Sequence, residues 1–404
     1  MKHYLDNTVI QRNIINYVDM RNVNVCEEPV VSYSIDEGST FIKWTQDKVE
    51  VRSEQLDTEN ENFPILIPIE QKIELLKKCN ELVSLFSKGK LNARIIYIEE
   101  VKDIEYKHIG VKEREQYYVL SFRFHQTNFV YESFISNTPF LLSMLEPLID
   151  EIVEKRIIYT HAHSVTPDTY DILMSPDVAS AFIHEVLGHK VEADFAITNG
   201  FLEKRGEYIA SEHLTVMDGR GPDTPFTRQY DDEGTLREKT IVIKDGKLVS
   251  LLHSLETAFQ LRENPTGNGR AESWVYSPLP RMSDIYILPG ERSPEQMIES
   301  IKKGIYLECA GSGSSPGRGF SIEVPLGWTI ENGKKVKPLK DIIFSGDVFE
   351  TLKKIEPSSD FQWVRWILPG KDRVSSNGCL KYGQQAVMVI HGSPSLLVRN
   401  GKFR

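Results

Sequence analysis

Residues Phe182 to His189 read FIHEVLGH, so that His184 and His189 flank the carboxylate of Glu185. Imidazole nitrogen is a good zinc ligand. A catalytic zinc site keeps three protein ligands and one open position, where the metal lowers the pKa of water to about 7. A carboxylate beside one ligand can take the proton of that water as it attacks a carbonyl. The familiar spacing of such a histidine pair is i and i+4, on one helical face; here it is i and i+5. At about 100° per residue, five steps carry the second histidine roughly 140° around the helix from the first. The segment is therefore expected to hold a π-type turn between the two histidines or to end at Gly188, whose missing Cβ eases the distortion. The same residues also fit a solvated helix face with an ion-pairing glutamate.

Other side chains compete for a role. His161 and His163 are two apart and on a strand would share a face able to bind metal; in a solvated connector they would do nothing. His391 is a candidate third ligand beside the pair. Glu192 and Asp194 come after the motif and could orient the imidazoles by hydrogen bonds, or be ordinary helix-surface charges. Cys309 precedes a Gly/Ser loop, GSGSS, that lacks the lysine pattern of a phosphate loop and is better read as close backbone packing. Thr266 to Arg270, TGNGR, reads as turn chemistry. Cys26, Cys79, Cys309 and Cys379 are far apart and form no CxxC pair, which suits a reducing compartment and buried thiols.

The stretch HEVLGHKVEADF closely resembles the HExxxH helix of the TldD/PmbA family, typically HExxGHxxEAD. The resemblance continues in order through Asp232-Glu233-Gly234, IVIKDGKLVSLLHS, Thr266 to Arg270, Pro280-Arg281-Met282, Lys303 to Tyr306, Gly319-Phe320, Ile330 to Gly333 and NGCLKYGQQAVMVIHGSPSL. It covers roughly residues 165–400 and places the chain with the HExxxH-bearing TldD type rather than its PmbA (TldE) partner. It implies a zinc-dependent peptidase with Glu185 as general base and Cys379 as third ligand, since Cys379 falls in a block resembling GxCGKxGQxVPVGVGxP. Leu380 departs from that block, and Ala386 to His391 replaces a proline- and glycine-rich run, so the substrate channel there is expected to differ. The resemblance further implies unfolded or leader-type peptide substrates, reached through a chamber formed by two subunits, either a homodimer or a heterodimer with a PmbA (TldE)-like chain. A noncatalytic metal-binding regulator or adaptor and a zinc amidohydrolase of small substrates are the alternatives.

The elements that must position these residues divide in two. Over residues 1–160 an α+β domain of sandwich-like α/β character is expected. A hairpin is expected of Val30–Ile35 and Thr40–Trp44, turning at Asp36 to Ser39. A helix opens after Pro68, strands run at Arg94–Ile98 and Tyr117–Phe124, and a second helix is capped by Thr138 with Pro139 at its first position. Residues 161–404 read as a β-rich catalytic domain. Its motif helix, about 177–196, starts after Ser175-Pro176, and hairpins turn at Asp245-Gly246 and Asn332-Gly333. Short helices are expected near Glu256–Arg262, Pro294–Lys302 and Val348–Ile355.

Composition narrows the partners. With 404 residues, 40% apolar and 26% charged, the chain is an ordinary globular protein of two or three domains. A net charge of −10 without a dense Lys/Arg run argues against nucleic acid or an anionic membrane surface. The opening MKHYLDNTVIQRN has no apolar core of a signal segment, and no run nears the ~18 apolar residues of a membrane span. A cytoplasmic protein is expected.

Overall fold

In a computed structural model the described residues are 6–20, 30–44, 49–55, 67–124, 131–136, 138–166, 168–221, 228–364, 379–387 and 389–402. The first six strands are β1 (Asp6–Met20), β2 (Val30–Trp44), β3 (Val49–Gln55), β4 (Ala93–Tyr106), β5 (Val111–Phe124) and β6 (Tyr131–Ser136). They form one antiparallel sheet in the order β3-β2-β1-β4-β5-β6. The helices α1 (Ile69–Phe86) and α2 (Leu142–His161) supply its apolar cover. Leu76, Cys79 and Val83 of α1 and Leu145, Ile149 and Ile152 of α2 join Ile95, Tyr97, Leu120 and Phe122 of the central strands in one core. Helical spacing on one side and alternation on the other meet there.

Two expectations for this half need correction. The hairpin at Asp36 to Ser39 is absent, because β2 is a single strand of 15 residues. Asp36 to Ser39 pair with Asn13 to Ile10 of β1, and Gly38 and Ser39 pair with Gln55 and Glu54 of β3. Ladder pairing on both edges outweighs the local turn preference of these residues. The second helix starts at Leu142, after Thr138 and Pro139. Thr138 instead turns back on the end of β6: its backbone N–H donates to Ser136 Oγ at 3.0 Å, which leaves it no capping role.

Among the described residues the rest of the chain carries two small hairpins, Gly269–Arg270 with Leu279–Pro280 and Cys379–Lys381 with Gln384–Val387, and two large sheets around the motif helix. One has eight strands: β7 (His163–Ser164) and β8 (Thr169–Met174), together with Lys303–Cys309, Gly313–Ser314, Gly319–Glu331, Lys334–Asp347, Ile355–Pro357 and Leu396–Lys402. The other has six: Val216–Asp218, Thr240–Lys244, Lys247–Leu248, Asp284–Ile287, Gln362–Val364 and Ile390–Ser393. Both expected hairpin turns are present, with left-handed Asp245-Gly246 (φ 47° and 79°) and Asn332-Gly333 (φ 49° and 79°). The three short helices are also found, over Leu255–Leu261, Pro294–Glu299 and Val348–Leu352.

Between these sheets runs α3 (Pro176–Ile183), opened by the Ser175 hydroxyl, which accepts from the Val178 N–H at 3.2 Å, and by Pro176 at its first position. Val178, Phe182 and Ile183 are fully buried against Met174 and Leu307 of one sheet and Ile285 and Ile287 of the other. Phe182 meets the edge of Phe320 at 5.1 Å between ring centroids. A helix enclosed on all sides cannot be shifted along its axis without opening a cavity, so the residues directly after Ile183 are placed with similar firmness.

The first sheet is tied to the second half by buried charge. Lys102 of β4 and Arg228 both reach Asp232 Oδ1, at 3.1 and 2.6 Å, and Arg228 Nε lies 3.3 Å from Glu115 of β5. Asp232 Oδ2 accepts the Ala271 N–H at 2.8 Å. Burial opposes ionisation of Asp232, but Arg228, Lys102 and Arg270 outweigh it and hold its carboxyl far below the usual range. Removing the carboxylate takes from Lys102 its buried anion and from Arg228 one of two. Asp232→Ala is expected to cost about 3–5 kcal/mol of stability, measured by urea unfolding at pH 7; a loss within the ordinary surface range of about 0.5 kcal/mol would show the network to be solvated.

Candidate metal centre

The helix that begins at Pro176 changes character at the motif. His184–Gly188 form a π-helical turn, after which an α-helical turn resumes over His189–Val191. By accommodating one more residue, the π-turn takes up the excess rotation that i, i+5 spacing has in a regular helix. The ring centroids of His184 and His189 lie 4.7 Å apart, and ligand atoms of His184, Glu185 and His189 all fall within 4.8 Å of one another. Gly188 is where the turn meets the neighbouring chain. A Cβ there would stand 2.0 Å from Met282 Sδ, so a side chain would need the buried Met282 to move aside.

The helix then breaks at Glu192 (φ −63°, ψ 122°), where the backbone pairs with Leu252. The break turns the Glu192 carboxylate back on the motif, and it is fully buried. Its Oε2 lies 3.2 Å from His189 Nδ1 and accepts from Lys381 Nζ at 2.9 Å, while Oε1 accepts from the Met282 N–H at 3.2 Å. Lys381 also donates to Asp194 Oδ1 and to the Pro280 carbonyl, each at 2.7 Å. Burial alone would raise the Glu192 pKa; Lys381 and His189 overcome it and bring it down to about 2.

His184 has a different neighbour. Its Nδ1 lies 2.7 Å from Nε2 of His391, on the strand Ile390–Ser393. Burial first, then His189, His391 and Arg281, hold His184 well below the ordinary imidazole range, and burial with His189 brings His391 down to about 3. Neutral imidazole is the form that binds metal. Glu185 faces the Gly/Ser loop: a Cβ on Gly313 would sit 2.6 Å from Glu185 Cγ. Lys190 secures that loop by donating to the carbonyls of Ser315 and Gly317 at 2.5 and 2.8 Å. Burial raises the Glu185 pKa, against the lowering influence of His189 and Lys190.

Of the side chains singled out from sequence, His184, Glu185 and His189 converge, and Glu192 stands behind them. His391 joins the group. Cys379 opens the strand Cys379–Lys381, whose last residue is the buried Lys381; the Cys379 side chain lies outside the described residues, as does Cys26. His161 ends α2 and His163 starts β7, both exposed, so they share no strand face. Cys309 is buried beside Tyr159 and Leu326.

The turn reading of Thr266 to Arg270 is incomplete. Asn268 donates to Asp218 at 2.7 Å and to the Arg281 carbonyl at 2.9 Å, and Arg270 donates to the Met282 carbonyl at 2.7 Å, all in the interior. Lys381 escapes sequence reasoning altogether. Its one signal there is the acidic pair Glu192 and Asp194, which needs a cation if it is buried.

The donor set suits a divalent transition metal, with two imidazoles whose Nδ1 atoms are already engaged and a carboxylate alongside. Residues 167–403 match the family profile described as the PmbA/TldA metallopeptidase C-terminal domain. In sequence the chain is similar to a metalloprotease of Synechocystis, with 35% identity over 64% of this chain and 55% of that one. It is likewise similar to a zinc metalloprotease TldD homolog of Saccharolobus solfataricus, with 32% identity over 62% of this chain and 55% of that one. The chain thus spans about half the length of these curated relatives. Its fold is similar to that of TldE from Thermococcus kodakarensis, with a TM-score of 0.72 at 14% identity over 98% of this chain and 96% of that one.

The buried Glu192 has a measurable signature. Unfolded, it takes up a proton near the ordinary glutamate pKa of about 4.3, whereas folded it stays ionised until about pH 2. Its contribution to stability is therefore present above pH 4.3 and lost as pH falls through 2. Glu192→Gln should be less stable than the parent at pH 7 and lose less on acidification, as read from urea midpoints at pH 7, 5 and 3. Parallel pH curves for parent and variant would contradict the assignment.

Proposed function

The chain belongs to the PmbA/TldD metallopeptidase family, and from that premise we propose that it is a zinc-dependent peptidase in which His184, His189 and Cys379 hold the metal and Glu185 is the general base. The observation that carries the proposal is the π-turn, which brings both imidazoles and the Glu185 carboxylate together despite the five-residue spacing. Zinc, when bound there, supplies Lewis acidity toward a peptide carbonyl and makes water acidic enough to attack near neutral pH. Glu185 takes the proton of the attacking water and later delivers it to the leaving amine. Burial favours this double duty, because a carboxylate whose pKa is raised toward neutrality is a stronger base toward water and remains an acid toward an amine. Gly313, flush against Glu185, limits where the carboxylate can swing.

The substrates are proposed to be unfolded or leader-type peptides. The strand Gly313–Ser314 pairs on one side with Ser321 and Ile322, and its other edge carries no ladder partner among the described residues. An extended peptide adding there would run beside Glu185 and be held through its backbone, with little demand on sequence. The working form is proposed to be a two-subunit chamber, as a homodimer or with a TldE-like partner. The buried Cys79 and Cys309, not joined to each other, suit a cytoplasmic setting.

One preparation tests the chemistry. Glu185→Gln is expected to keep its zinc and its affinity for an unstructured peptide while cleavage falls at least about 100-fold, the lower end of general acid–base assistance. Cys379→Ala is expected to lose most of the metal. Undiminished cleavage by Glu185→Gln would remove that residue from the mechanism. A parent protein that binds zinc yet cleaves nothing, alone or with a TldE-like partner, would point to a metal-binding adaptor.

A further inference from the structure

We propose that His391 is a positioning residue for the metal centre, accepting the Nδ1–H of His184 and thereby turning Nε2 of His184 toward the ion. The inference rests on the zinc-peptidase reading above. It starts from the 2.7 Å separation of His184 Nδ1 and His391 Nε2. Two nitrogens bound to one tetrahedral zinc at 2.0–2.1 Å lie roughly 3.3 Å apart, a separation set by the bond lengths. The shorter distance is that of a hydrogen bond. His184 must leave Nε2 unprotonated to bind metal, which makes Nδ1 the donor and His391 Nε2 the acceptor.

The two histidines of the motif then show the same arrangement. His189 has its Nδ1 on Glu192 Oε2 at 3.2 Å, and His184 has its Nδ1 on His391. A metal-binding imidazole commonly donates its second N–H to a fixed acceptor, which sets both tautomer and ring orientation. His391 is built to be fixed. It is 5% exposed, and its backbone pairs with Ile285 on one side and Val364 on the other. Its own Nδ1 has no hydrogen-bond partner among the described residues, so the contact with His184 is not one of several competing poses.

The acceptors differ in kind. Glu192 is an anion and strengthens the basicity of His189; His391 is neutral and lends His184 direction with less added charge. His391 lies at the end of the run Ala386 to His391, where the sequence departs from the proline- and glycine-rich pattern it otherwise resembles. The orienting group therefore comes from the strand Ile390–Ser393 and not from the HExxxH helix.

The test measures zinc affinity of the purified chain by competition with a chelator, and the absorption spectrum of its cobalt(II) form. His391→Ala is expected to bind zinc about 10- to 100-fold more weakly, the usual cost of losing such a partner. His391→Gln sets an amide oxygen where Nε2 stood and should recover most of that loss, with cobalt bands matching the parent. His391→Asn is too short to reach and should behave like the alanine variant, which covers the case that alanine does not fold. Parent-like zinc affinity in both the alanine and asparagine variants would overturn the proposal. So would a glutamine variant as weak as alanine with altered cobalt bands, because His391 would then be a ligand. If the parent itself takes up no zinc, the peptidase reading fails and this inference with it.

Discussion

Glu192 is a carboxylate kept charged where no water reaches it, and much of the site is arranged around that fact. An isolated buried anion would be protonated or expelled. Here it is held by Lys381, by the Met282 amide and by His189, each arriving from a different part of the chain. The helix must break at Glu192 for the side chain to reach back, and the hairpin carrying Lys381 must close over it. That closure is itself supported, since Arg281 donates to the carbonyls of Lys381 and Gln384, both at 3.3 Å. The placement of His189 is thus a property of a three-way junction rather than of the helix alone.

The same logic recurs at larger scale. Asp232 and Asp218 are also buried and also satisfied by groups distant in sequence: Asp232 by Lys102 and the Ala271 amide, Asp218 by Asn268 and Ser283. Such pairings contribute little net stability compared with apolar replacements, but they tolerate few alternative arrangements. A site that needs two imidazoles and a carboxylate at one point gains from a frame with a single solution. The hydrophobic core around α3 supplies the bulk of the driving force, and the polar junctions select the register.

Much of this is legible in the sequence, for identifiable reasons. The five-residue histidine spacing leaves either a π-turn or a helix end at Gly188, of which the structure has the first, and Ser175-Pro176, Asp245-Gly246 and Asn332-Gly333 act through local backbone preferences that tertiary structure does not override. The α+β class and the β-rich character of the second half come from alternation. The features that sequence does not disclose depend on contacts between distant segments. Asp36 to Ser39 has the composition of a turn and becomes strand because β1 and β3 flank it. Lys381 looks like any lysine until its partners are known to be buried. His391 can be named as a candidate, but only the pairing of its strand with Ile285 and Val364 puts it beside His184.

Lys190 sits one residue past His189 and grips the loop that forms the wall behind Glu185. Its ammonium spans the distance between the end of the motif helix and the carbonyls of Ser315 and Gly317, so neither can loosen without the other losing partners. In the language of cooperative opening units, the contact couples the opening of the loop to that of the helix end. A fluctuation that frees the wall behind Glu185 also releases the ammonium that directly follows the two motif histidines.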